Sequence, residues 1–234
     1  MLFLHEVHRV QGAKEDEFEA AYRDHWMPTM AKSDYARLLW YTNHALGTGV
    51  SYNVVTITAI EDGRGWEDLI RRVQKGDLQS WMVAVDHLRY DVIGKVLVPV
   101  HWSPLQDVDL GSVPADGRLH EPSLFMEDTG WPYAALDVYI QGWHDIYYAP
   151  MEKTSPGQQL LDIQACFQPA HGTHQRREAM LWQKILRPAA LTKLLGREAR
   201  PEQRAPGTYM HEALALRDQW ESKLLRTSTW SPLF

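Results

Sequence analysis

The tetrapeptide Trp-Ser-Pro-Leu occurs twice, at Trp102–Leu105 and again at Trp230–Leu233, close to the end of the chain. Two further anchors fall in the same order. Leu2-Phe3-Leu4 answers to Leu124-Phe125-Met126, and Gly47-Thr48 answers to Gly172-Thr173. The spacing drifts from 122 through 125 to 128 residues, as loop insertions would make it do. Three ordered anchors with matching patterns between them mark two copies of one unit. A chain built this way folds as two similar halves. We place the first at 1–105 and the second at 124–234. The joining segment 106–123 contains prolines, glycines and aspartates, which predicts an exposed linker.

Hydrophobic periodicity gives the order within each half. In the first, strand Leu2–Val10 precedes a helix from Lys14 to Met30. Strands Arg37–Ala45 and Tyr52–Ile60 form a hairpin around Gly47. Helical pieces Trp66–Gln74 and Leu78–Leu88 follow, and a strand Val92–Trp102 closes the unit. The second half is predicted as strand Leu124–Asp128, helix Pro132–Tyr148, hairpin strands Leu160–Phe167 and Glu178–Ile185, helices Pro188–Gly196 and Tyr209–Leu216, and strand Trp220–Trp230. The fold class is α+β. Each ferredoxin-like βαββαβ repeat gives a four-stranded antiparallel sheet with helices on one face. Val54, Thr56 and Thr58 occupy one alternation of a strand and Val55, Ile57 and Ala59 the other, so both faces are buried. Two sheets packing face to face into a barrel satisfy this. Closure within one chain and closure between two chains both remain open at this point.

Certain places in the sequence resemble the dimeric α+β barrel superfamily, and within it NIPSNAP-type proteins. One is Tyr52–Ile60 followed by Glu61-Asp62 and the helix start Trp66-Glu67-Asp68-Leu69. The others are the closing strands, Val98-Pro99-Val100-His101-Trp102-Ser103-Pro104-Leu105 and Arg226-Thr227-Ser228-Thr229-Trp230-Ser231-Pro232-Leu233. The family usually has Phe where Trp102 and Trp230 stand. The resemblance implies the barrel fold and no catalytic motif. The wider superfamily includes cofactor-free monooxygenases and cyclases of aromatic polyketide metabolism, ligand-binding proteins and, in duplicated form, haem enzymes.

Composition narrows the partners. The net charge is −6 with no basic block, which argues against nucleic acid. No apolar run is long enough for a membrane span. Cys166 is the only cysteine, so no internal disulfide forms. These features predict a cytoplasmic protein, and the barrel resemblance implies a homo-oligomer. Ten Trp, ten Tyr and eleven His give the chain material for binding flat ligands.

Tyr22 and His25 share the first helix with Phe18 and are expected to point toward the sheet, where a His beside a Tyr can move a proton. His144 holds the related place in the second half, next to Trp143 and Tyr147. Trp40 and Tyr41 are adjacent on a strand and so face opposite sides. Trp182 aligns with Ile57. The expected roles are acid–base chemistry for His25, Tyr22 and His144, and ligand walls for Trp40, Tyr41, Trp143, Tyr147 and Trp182. His5 and His8 fall on opposite faces and cannot chelate together. His171 and His174 lack a third ligand, so no metal site is predicted. Glu127 and Asp128 are strand neighbours and diverge. The expected function is an enzyme acting on a hydrophobic small molecule by proton transfer, rearrangement or oxygenation, without a bound cofactor. A non-catalytic binding module is the alternative. A haem held by one axial His is a third reading, since it leaves no spacing signature.

Overall fold

The computed structural model describes the chain except residues 134, 156, 173–175, 197 and 199, and the side chains of Leu194 and Asp218. Thr173 and His174 therefore lie outside the described residues. Each half runs strand, helix, two strands, two helices, strand. The first half comprises β1 (Leu2–Val10), α1 (Glu15–Ala21), α2 (Met27–Met30), β2 (Ala36–His44), β3 (Asn53–Ile60), α3 (Gly63–Lys75), α4 (Gln79–Asp86) and β4 (Arg89–Pro99). The second comprises β5 (Leu124–Pro132), α5 (Leu136–Trp143), α6 (Ala149–Glu152), β6 (Leu161–His171), β7 (Ala179–Ile185), α7 (Pro188–Leu195), α8 (Tyr209–Leu216) and β8 (Arg217–Thr227). The eight strands close into one barrel in the order β1-β3-β2-β8-β5-β7-β6-β4, so closure occurs within a single chain.

The two alternations of each strand serve two cores. Val55, Ile57 and Ala59 of β3 join Phe3, Leu97, Phe125, Phe167 and Leu225 inside the barrel. Val54 and Ile60 face outward and pack under α1 with Phe18, Tyr22 and Trp26. The second half has its own outer core around Tyr139, Trp143, Cys166 and Leu181.

Both first helices contain one wide (π) turn at the same place, Tyr22–Trp26 and His144–Tyr148. Each is followed within two residues by a proline, Pro28 or Pro150. A proline inside a helix removes a donor and crowds the preceding turn, and a widened turn relieves both.

Three expectations are corrected. Pro132 does not start a helix. It ends β5, whose pairing extends as far as Trp131 opposite Gln219 and Pro132 opposite Arg217. Sheet pairing there overrides a proline that also suits a first helical turn. The closing strands end three residues early, at Pro99 and Thr227, so Trp102 and Trp230 stand in the turns beyond them. The 106–123 connection is not simply exposed. Leu110 and Val113 are buried against the barrel interior and close one end of it.

Those turns explain the repeated tetrapeptide. The Trp102 indole Nε1 donates to the Ile140 carbonyl at 3.0 Å, and Trp230 Nε1 donates to Glu19 Oε1 at 2.6 Å. The Ser103 hydroxyl accepts from the Cys166 amide at 2.9 Å and donates to the Leu105 carbonyl. The Ser231 hydroxyl accepts from the Tyr41 amide at 3.0 Å and donates to the Leu233 carbonyl. Each tetrapeptide thus clasps a helix and a strand of the opposite half.

Candidate functional site

β1 and β5 stand opposite one another in the barrel, four strands apart either way round. His5 and Glu127 occupy equivalent inward positions on them, two residues after Phe3 and Phe125. They meet across the interior: His5 Nε2 lies 2.7 Å from Glu127 Oε2, and each side chain is 1% exposed. A carboxylate only accepts, so Nε2 carries the proton in this bond. The other ring nitrogen, Nδ1, has no hydrogen-bond partner in the protein.

Two lysines flank this pair. Lys223 is registered beside Glu127 on β8 and donates to Oε1 at 2.6 Å. Burial alone would raise the Glu127 pKa, but Lys223 and His5 hold it well below the usual carboxylate range. Burial opposes charge on Lys223 as well, yet Glu127 and Glu221 push its pKa up to about 12. Lys95 occupies the corresponding place beside His5 on β4 and binds Glu178. The second oxygen of Glu178 accepts from Trp131 Nε1 at 3.0 Å.

This polar layer divides the interior. On one side Trp40, Trp182, Phe125, Phe3 and Phe167 pack in contact, with Trp40 and Trp182 ring centres 5.6 Å apart. On the other side is an open cavity of about 460 Å³. His5, Lys95, Lys223 and Glu178 form its polar floor, and Val7, Ile93, Trp131 and Trp220 give apolar wall. That combination of apolar wall and a few convergent polar groups is the general form of a small-molecule site.

The architecture recurs in solved structures. An anthrone oxidase-like protein superposes with a TM-score of 0.56 at 8% identity, covering 97% of this chain and 91% of that one. A candidate monooxygenase from Lactobacillus acidophilus NCFM gives 0.54 at 9% identity over 99% and 97%. The chain shares the eight-stranded α+β barrel fold of these structures. A NIPSNAP domain protein from Burkholderia xenovorans is 21% identical and matches 44% of this chain, with a TM-score of 0.35. No protein-family model matches the sequence, and neither does any curated protein.

In this α+β barrel the residues singled out from sequence separate into three places. Trp40 and Trp182 are inside, beneath the polar layer. Tyr41, Trp143 and Tyr147 lie between the sheet and the helices, where Tyr147 donates to Gln183 Oε1 at 2.7 Å. Tyr22 is there too, with its hydroxyl 3.2 Å from His8 Nε2. His25 does not point toward the sheet. Phe18, Tyr22 and Trp26 form the buried stripe, and His25 is exposed and stacked on Trp81 at 3.9 Å. His144 is one-third exposed and pairs with Asp145 at 2.7 Å. Neither His25 nor His144 faces the cavity. His5, Glu127, Lys95, Lys223 and Glu178 were missed as a group. The available signal was a charged or imidazole residue on the same alternation as Phe3 and Phe125. Among the described residues no three His, Cys, Asp or Glu side chains gather to hold a metal ion, and no helix is long and apolar enough to cross a membrane.

The outer face of β1 carries a second polar group. Arg89 Nη1 donates to His8 Nδ1 at 2.6 Å, and burial and Arg89 push the His8 pKa down. Beside them Glu6 has its pKa raised to about 7, chiefly by burial, with Arg89 opposing. A folded-state value above the unfolded one of 4.5 means stability is fully present below pH 4.5 and declines as pH rises through about 7. Glu6→Gln removes that loss. It is expected to stabilise the protein by about 2 kcal/mol at pH 8 and to change little at pH 4.5, a discounted figure because part of the side chain meets solvent. Urea denaturation at the two pH values measures this.

Proposed function

We propose that the chain is a small-molecule enzyme, that the barrel mouth is its active site, and that His5 is its general base. The observation that carries this reading is the buried His5–Glu127 bond at the floor of an open cavity. Glu127 fixes the tautomer, which leaves the lone pair on Nδ1, unpartnered and screened from solvent in the resting barrel, to accept a proton from an acidic C–H or O–H of a substrate that displaces the side chains over it. The imidazolium so formed is stabilised by the Glu127 carboxylate. The electron pair left on the substrate faces the ammonium groups of Lys95 and Lys223, which are already in place before reaction.

The walls suit a hydrophobic, flat substrate of aromatic or polyketide type, and the likeness to an anthrone oxidase-like protein is in keeping with that class. Return of the proton at another atom gives isomerisation. Attack of the carbanion on an internal carbonyl gives cyclisation, and addition of dioxygen as co-substrate gives oxygenation. None of these needs a bound redox cofactor. We also propose that 1–105 and 124–234 are repeats of one ancestral unit.

The test is hydrogen exchange in D2O. Anthrone and 1-tetralone are incubated with the protein, and deuterium entry next to the carbonyl is followed by NMR. Exchange above the buffer rate is expected for the wild type, with a loss of about 10²–10⁴-fold in His5→Asn. Equal exchange by His5→Asn sinks the assignment. Binding of the ketones without exchange makes the cavity a non-catalytic binding site.

A further inference from the structure

Arg89 and Arg217 are equivalent, each opening the last strand of its half and each thirteen residues before the Trp of Trp-Ser-Pro-Leu. Their surroundings differ. Arg89 is fully answered: Nε donates to Asp86 Oδ1 at 3.0 Å, Nη2 donates to the same carboxylate, and Nη1 donates to His8. Asp86 stands three residues before Arg89, and the residue three before Arg217 is Leu214. His8 follows His5 by three, and the residue three after Glu127 is Gly130. The second half has lost both partners. At Gly130 the Tyr139 hydroxyl fills the space that a Cβ would need.

Arg217 nevertheless remains buried, at 5% exposure. Among the described side chains it has no carboxylate within salt-bridge distance, and its Nε has no acceptor. Its contacts include the Tyr209 hydroxyl at 3.4 Å and the Trp220 ring at 5.1 Å, and the Tyr139 hydroxyl lies beside it. Asp128 is the nearby buried carboxyl; it accepts from Gln183 Nε2 at 2.9 Å, and the Arg217 charge acts on it without direct contact. A cavity of about 290 Å³ lies here, lined by Arg217, Leu214, Met210, Tyr209, Trp220 and Arg204 among others. Its volume matches the lower end of small-molecule pockets, ~300 Å³. Burying a cation with no carboxylate in direct contact is unfavourable, and a guanidinium fork matches a carboxylate in geometry.

We propose that this pocket beneath α8 binds a small carboxylic acid with an apolar body, its carboxylate on Arg217 in the place that Asp86 fills beside Arg89. The site is distinct from the barrel mouth and shares only Trp220 with it.

Octanoate is the probe, and 1-octanol the neutral control of equal length. Calorimetric titration is expected to show one octanoate per chain, with 1-octanol weaker by about tenfold or more. Leu214→Asp restores the missing carboxylate at a position that is 62% exposed, so it does not disturb the core. It is expected to weaken octanoate by about tenfold while melting no lower than the wild type. His5→Asn is expected to leave octanoate affinity unchanged. The proposal is overturned by no octanoate binding, by equal affinity for 1-octanol, by unchanged binding in Leu214→Asp, or by loss of binding in His5→Asn, which would put the acid in the barrel mouth.

Discussion

Lys223→Met is expected to lower the unfolding free energy by about 3–5 kcal/mol at neutral pH. Glu127 is 1% exposed and shares its charge between Lys223 at 2.6 Å and His5 at 2.7 Å. Removing the ammonium leaves a carboxylate inside the barrel with a single partner, and that loss exceeds what the pair itself contributes. The double variant Lys223→Met with Glu127→Gln removes both charges and is expected to recover most of the stability. The effect depends on acidity. The Glu127 carboxyl titrates well below its unfolded value of 4.5, so its pairing stabilises the fold above that pH and the contribution is lost as pH falls. The gap between variant and wild type should therefore narrow toward acid. Urea midpoints at pH 7 and pH 4 decide it; a Lys223→Met protein as stable as the wild type at pH 7 would mean that the charge is solvated and the polar layer is open.

Trp230→Ala is expected to be as damaging, about 3–5 kcal/mol, the range for a buried aromatic. Trp230 is 1% exposed, packs at a tilt against the Tyr41 ring with centres 4.8 Å apart, and donates to Glu19. It holds the end of the second half against the first helix of the first half. Trp102, its counterpart, is only partly buried, so Trp102→Ala should give a smaller loss. Trp230→Phe keeps the ring but not the donor and should fall between. Equal midpoints for Trp230→Ala and Trp102→Ala would show that the clasp matters little compared with the two outer cores.

The architecture was legible because its signals are local. β1 and the helix at Tyr209–Leu216 match their expected bounds, and the hairpins turn at Gly47 and Gly172, both at positive φ. Strands with apolar residues on both alternations pointed to a covered sheet, and the barrel covers it. The closing strands were misjudged at their ends because Trp102 and Trp230 look like strand residues in composition, while their roles are set by contacts more than 35 residues away. The site was less legible for the same reason. His5 and Glu127 are 122 residues apart, and their meeting follows from barrel order, which no local pattern reports. Tyr22 and His25 were paired on helical spacing, yet the π turn at Tyr22–Trp26 and the choice of Trp26 for the buried stripe leave His25 outside.

The equivalence of His5 and Glu127 also constrains how such a barrel can be assembled. A ring of two identical subunits presents every axial position twice, so a base would confront a second base there, or a carboxylate a second carboxylate. Holding both halves on one polypeptide lifts that restriction. One lobe contributes the imidazole and the other its acidic mate, a division of labour that no homodimer of either lobe could reproduce.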